Sequence, residues 1–194
     1  ALFGAAWFLP ASSSAPPRPG PEGEKQDVVL IVLDTQRADF LGAYGGRGGL
    51  SPSFDALARE STRFTRCFAP AAWTGPAHAP LFTLLAAPSH GCSFEHHRWL
   101  DSRFTTIAEA LASAGIDYQC AGFAANEWLE AANLAQGFAP FEVVGRRVRE
   151  LSLRPLFELL GWPARFSDHG AREAVTCIDR FLAEERDVDR PLFL

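Results

Sequence analysis

The chain has 194 residues, 47% of them hydrophobic and 21% charged, the composition of a globular domain long enough to bury a sizeable core. Lys and Arg number 18 against 23 Asp and Glu, so the net charge is −5. There is no long basic run, which excludes nucleic acid and acidic lipid as electrostatic partners.

Residues 1–11, "ALFGAAWFLPA", are apolar, and the small residues of "SSSA" follow. Residues 1–15 are read as the remnant of a secretory signal or of a membrane anchor, too short alone to span a bilayer; an apolar tail is the alternative. "PPRPGPEGEKQ" (16–26) has linker composition, and the folded domain is expected over 27–194. With no Met anywhere and an apolar run opening in "RPLFL", the chain reads as a piece of a longer protein. That protein is expected to be extracytoplasmic: periplasmic, secreted or membrane-anchored.

"DVVLIVLD" (27–34) is a β-branched run ending in an acid, the pattern of a parallel strand buried on both faces. "SPSFDALARES" (51–61) predicts a short helix and "TRFTRCFA" (62–69) a strand. "PAHAPLFTLLAA" (76–87) predicts a helix at its start, despite Pro80. "FTTIAEALASAG" (104–115) is the clearest helix, with Glu109 three residues after Thr106 and a glycine stop. "IDYQCAGFA" (116–124) predicts a strand, 148–161 and 169–185 helices, and "PLFL" a further strand. Strands alternating with helices imply α/β layers around a mostly parallel sheet.

Asp34 closes the first strand, where open α/β sheets gather ligands, and a carboxylate there suits a divalent cation. It also suits a simple turn cap. Thr74 poses the same choice. It is either the N-cap of a helix with Pro76 in its first turn, or a hydroxyl nucleophile at a helix N-terminus that favours an anionic ester. A base or a metal would have to activate it. His78, four residues on, lies one turn away on the same side, placed to hold a substrate oxygen or move a proton. Cys67, Cys92, Cys120 and Cys177 show no CxxC pairing. They read as small core residues, or as disulfide partners in an exported protein. The adjacent His96 and His97 are read as a polar loop, because neighbouring residues point apart.

Several stretches in order resemble the sulfatase-like hydrolases of the alkaline phosphatase superfamily: "DVVLIVLDTQRADFLGAYG", "SPSFDALARESTRFTRCFA", "WTGPAHAPLFT", "PSHG" (88–91), "TTIAEALASAGI" (105–116) and "QGF" (136–138). The resemblance extends over about 27–194. It implies a three-layer α/β/α sandwich of alkaline phosphatase type, a divalent metal (calcium, zinc, magnesium or manganese), and attack on sulfate or phosphate esters of small molecules, glycans or lipids. Asp34 matches the first metal-ligand aspartate. Thr74 matches the nucleophile of C/S-x-P-x-R and a further metal contact, Pro76 matches its proline, and His78 stands where the arginine usually is.

The departures are specific. Thr74 cannot become formylglycine, which favours phosphate over sulfate esters. Thr35 replaces the second aspartate of many sulfatases, and "FTLLAAP" replaces the usual "LTG". "GFAANEWLE" (122–130) stands where the family carries the Lys and His of "GKWHLG". Asn126 there is read as a surface or capping residue, with a polar contact in the site as the alternative. "SDHG" (167–170) imitates a later metal motif but reads as a helix start capped by Ser167 or Asp168. Two functions follow. One is the N-terminal part of a metal-dependent ester hydrolase or transferase; the other is a catalytically inactive domain of the same fold that serves in binding.

Overall fold

The structure is a computed structural model that describes residues 8–10, 26–47, 49–93, 98–113, 115–144 and 170–194. The helices expected over 148–161, His96, His97 and the first three residues of "SDHG" lie outside the described residues.

The strands are β1 (Phe8–Pro10), β2 (Ser61–Arg63), β3 (Gln119–Cys120), β4 (Gly122–Ala124), β5 (Phe141–Val143) and β6 (Leu192–Phe193). The helices are α1 (Pro52–Arg59), α2 (Thr74–Thr83), α3 (Ala87–His90), α4 (Ile107–Ala112), α5 (Trp128–Ala131) and α6 (Ala171–Glu184). β3 pairs parallel with β6, and β4 pairs parallel with β5. Val28 bridges Phe193 in parallel, and Leu30 N–H donates to the Leu194 carbonyl. Along 119–124 the amides of Gln119 and Ala121 donate towards β6, whereas that of Gly122 donates towards the β5 side. One extended run therefore has neighbours on both edges. Residues 28–30, β6, β3–β4 and β5 lie side by side, all parallel.

The side chains on this sheet define the layers. Successive residues of a strand point to opposite faces. Cys120 and Phe193 pack with Ala108 of α4, whereas Ala121 and Leu192 pack with Phe181 of α6. Helices therefore cover both faces, and the architecture is α/β/α. A third cluster joins Ala79 and Phe82 of α2 to Cys92, Leu100, Ala132 and Leu134, with Leu30 and Phe138 against it. It seats α2 over the carboxyl end of the first strand.

Local chemistry explains several elements. Thr106 and Glu109 form a complete capping box at α4. Pro52 opens α1, where a missing N–H costs nothing. Gly137 of "QGF" has φ +85, and a Cβ there would stand 2.4 Å from the Glu109 backbone nitrogen, so only glycine lets this turn close on α4.

Three sequence readings need correction. Residues 27–34 are not buried on both faces: Val29 is 59% and Ile31 63% exposed, while Leu30 faces the core. Among the described residues the α6 layer covers Ala121 and Leu192 but does not reach this edge. The strand expected over 62–69 is only β2, which pairs with β1 in antiparallel register from Phe8↔Arg63 to Pro10↔Ser61. The N-cap of α6 is Gly170, φ 92, with no side-chain cap, so neither Ser167 nor Asp168 occupies that position. Leu84 ends α2 at φ 58, a left-handed conformation that glycine would take without strain. All four cysteines are free, with Cys92 and Cys120 buried. Among the described residues no helix is long and apolar enough to cross a membrane.

Candidate active site

Asp34 sits where the first strand turns. The turn is made by Thr35 at φ 60, a left-handed conformation unusual for a β-branched residue. The charged residues just beyond are engaged locally. Arg37 pairs with Asp39 through two bonds, at 2.9 and 2.5 Å, and lies over the Phe40 ring. The Asp39 carboxyl is held below its usual range mainly by that hydrogen bond.

Thr74 is the first residue of α2. The N-cap is Trp73, extended at φ −148 and ψ 165, and no side chain caps the helix. Thr74 is thus a helix-start residue but not the cap, so its hydroxyl is free for other partners. Those partners come from the end of β4. Asn126 Nδ2 donates to Asp34 Oδ2 at 2.5 Å and to Thr74 Oγ1 at 3.2 Å. Asn126 Oδ1 accepts from Trp128 N–H at 3.0 Å, at the start of α5. Of the sequence alternatives for Asn126, the polar contact is the one seen: it bridges the two candidate residues, while the N-cap of α5 is Glu127.

His78 takes a different place. It is 7% exposed, and its Nδ1 lies 2.8 Å from the Thr74 carbonyl oxygen. A carbonyl can only accept, so Nδ1 carries the proton and Nε2 is the nitrogen left for other work. His78 is tied to the Thr74 backbone rather than to the Asp34–Asn126–Thr74 side-chain group.

Below the first turn of α2, a Cβ on Gly75 would meet Cys92 Sγ at 3.3 Å and the Trp73 ring at 3.5 Å. The loop after α3 therefore supports Thr74 from beneath. His90, the last residue of α3, is 2% exposed, and its Nδ1 accepts from Cys92 N–H at 3.0 Å. Burial lowers its pKa, which favours the neutral ring.

As a metal position, the group fits in kind. Asp34 Oδ2 and Thr74 Oγ1 are hard oxygen donors, both within hydrogen-bond reach of Asn126 Nδ2, and their chemistry suits calcium, magnesium or manganese more than a soft ion. They supply only part of a coordination sphere. Among the described residues no set of three or more His, Cys, Asp or Glu side chains is grouped to hold a metal.

The family model described as Sulfatase matches residues 26–147, more than half of the chain. An ulvan-active sulfatase of Formosa agariphila is 28% identical over 99 residues, covering 51% of this chain and 20% of that protein. An arylsulfatase of Clostridium perfringens is 29% identical over 98 residues, covering 50% and 20% respectively. An N-acetylglucosamine-6-O-sulfatase of Bacteroides thetaiotaomicron is 29% identical over 62 residues, covering 32% and 11%. The matched stretches thus span a fifth or less of these relatives' length. No solved structure matches at comparable significance.

Proposed function

Because the chain belongs to the sulfatase family, with the α/β fold of alkaline phosphatase type which that implies, we propose that it is the nucleophile-bearing part of a metal-dependent ester hydrolase or transferase. The observation that carries the reading is the convergence of Asp34 Oδ2 and Thr74 Oγ1 on one nitrogen at the N-terminus of α2. That helix end offers the backbone N–H groups of Thr74 and Gly75, with no side-chain cap competing for them. Free amides there, with the helix dipole, favour an anionic ester group.

In the proposed reaction Thr74 Oγ attacks the phosphorus or sulfur of the ester. A bond forms from Oγ to that atom as the bond to the leaving oxygen breaks, giving an esterified threonine. The hydroxyl proton leaves Oγ and ends on the leaving oxygen, with His78 Nε2 as the candidate carrier. Water, or an acceptor alcohol, then attacks the same atom and returns Thr74 to its free form. Asp34 and Thr74 would hold a divalent cation, which when bound supplies charge neutralisation at the ester oxygens.

Phosphate esters are the favoured substrates, since threonine has no route to the formylglycine aldehyde. The names of two relatives, an ulvan-active sulfatase and an N-acetylglucosamine-6-O-sulfatase, support a glycan as the esterified group. An extracytoplasmic location is part of the same proposal, supported by the apolar stretch at residues 1–11.

The test is a matched pair of aryl phosphate and aryl sulfate, assayed on the full-length protein with each divalent metal. Faster turnover of the phosphate, abolished by Thr74→Ala, is expected. Mass spectrometry should find Thr74 unmodified at rest and carrying the transferred group after acid quench. Sulfatase activity that survives Thr74→Ala would defeat the mechanism. Inactivity on both esters with no bound metal would favour a binding domain of the same fold.

A further inference from the structure

We infer that Asn126 is the positioning residue of this site: one amide, locked in orientation by the start of α5, aims the Thr74 hydroxyl and the Asp34 carboxylate at each other. This rests on the reading of Thr74 as the nucleophile.

The position needs two donors and one acceptor, and few side chains supply them. Asp34 Oδ2 and Thr74 Oγ1 take the two N–H bonds of one nitrogen, and Trp128 N–H donates to the oxygen of the same amide. Lysine offers donors but cannot accept from Trp128. Aspartate accepts from Trp128 but cannot donate to a carboxylate. Only a primary amide does both.

The same three partners fix which way the amide points. Rotated by half a turn, its oxygen would face the Asp34 carboxylate and its NH2 would face the Trp128 N–H. Acceptor would meet acceptor and donor would meet donor. The orientation follows from the partners rather than from a choice between similar atoms.

The aim of Thr74 follows. The hydroxyl of a threonine at the first position of a helix has no fixed partner of its own, and no cap bond holds this one. The bond from Asn126 selects the rotamer that turns Oγ1 towards Asp34. Its reach is short and firmly based, because Asn126 lies two residues after the end of β4 and leads into α5. Misplacement of a reacting atom by about 1 Å costs about 100-fold in rate.

Two substitutions in the full-length protein separate positioning from mere support. Asn126→Asp keeps the acceptor for Trp128 N–H but removes both donors. Its melting temperature should fall, because its second oxygen stands against the Asp34 carboxylate, while kcat on the preferred aryl ester falls about 100-fold with KM little changed. Asn126→Ala removes the acceptor for Trp128 N–H as well, and should combine the same loss of kcat with a lower melting temperature. A parental kcat in Asn126→Asp overturns the inference. So does a rise in KM with kcat intact, which would make Asn126 a substrate-binding group instead.

A second readout does not depend on turnover. In protein labelled with 15N-asparagine, the side-chain amide signal that disappears in Asn126→Asp should shift in both Thr74→Val and Asp34→Asn. A signal indifferent to both changes overturns the inference even if Thr74 is the nucleophile. If instead Thr74→Ala remains active while the signal does shift, the nucleophile reading fails and the amide geometry stands.

Discussion

Thr74 and Asp34 meet on a single nitrogen: Asn126 Nδ2 lies 3.2 Å from the hydroxyl oxygen and 2.5 Å from the carboxylate oxygen. A helix start and a strand end, far apart in the chain, thereby share one polar focus. Asp34 is exposed, so its carboxylate has room for further ligation.

In the full-length protein Asp34→Ala should lose divalent metal while the fold is kept, because an exposed residue at a strand end supports little packing. Elemental analysis after dialysis, with circular dichroism as the check on folding, measures this. Unchanged metal content would remove Asp34 from the ligand set.

Leu84→Gly should stabilise the protein by about 1 kcal/mol. Leu84 stands after α2 at φ 58 and is 82% exposed, so glycine relieves the left-handed strain and forfeits little burial. The denaturation midpoint in urea should rise. A fall would mean that the leucine side chain makes a contact worth more than the strain.

Thr106→Ala should cost about 2 kcal/mol. Thr106 is 1% exposed, its Oγ1 accepts from Glu109 N–H at 3.2 Å, and the hydroxyl donates to the Gln136 carbonyl at 2.8 Å. The change removes a cap and a bond between segments together. Thr106→Ser keeps the hydroxyl and should cost under about 1 kcal/mol, the share of one buried methyl. Equal losses in the two variants would assign the effect to packing.

Asp27 links stability to pH. Its carboxylate accepts from Leu192 N–H at 2.8 Å and from Arg186 Nη2 at 3.0 Å to each oxygen. The backbone N–H of Leu192 is the main cause of its lowered pKa, with Arg186 adding to it against the opposing effect of burial. A pKa lower in the folded than in the unfolded state gives a contribution that is complete above the unfolded value, about 3.9, and is lost as pH falls through the folded one. Asp27→Asn should therefore be less stable than the parent at neutral pH, with the gap closing as pH drops below about 4. Urea midpoints across that range measure it. A gap that persists in strong acid would mean that the charge is not responsible.

What could be read in the sequence was what depends on near neighbours. The α4 capping box is contained in four consecutive residues, and both partners in the structure are the ones its spacing names. The helix at Thr74 and the strand end at Asp34 were legible for the same reason. Asn126 was legible only as the second of two readings, because its two acceptors lie 92 and 52 positions away and nothing around it names them. His78 falls between these cases. Helical spacing put it one turn from Thr74, but its burial and its bond to the Thr74 carbonyl depend on packing. The run 27–34 misled in the opposite sense. Its composition is that of a doubly buried strand, whereas exposure depends on how far the α6 layer extends.

The pairing of Val28 with Phe193 has a consequence for how the protein is made. Asp27 and Leu192, joined by a hydrogen bond, are 165 positions apart. At about 5–20 residues per second, a ribosome needs about 10–30 s to travel from one to the other. Throughout that interval the β-branched ridge from Val28 to Leu33 has been synthesised but lacks β6. An unpaired apolar strand edge is a template for wrong pairing. A nascent chain of this design therefore depends on that ridge being kept from other strand edges until β6 has been made, and elongation that is faster between residues 34 and 192 shortens the exposure.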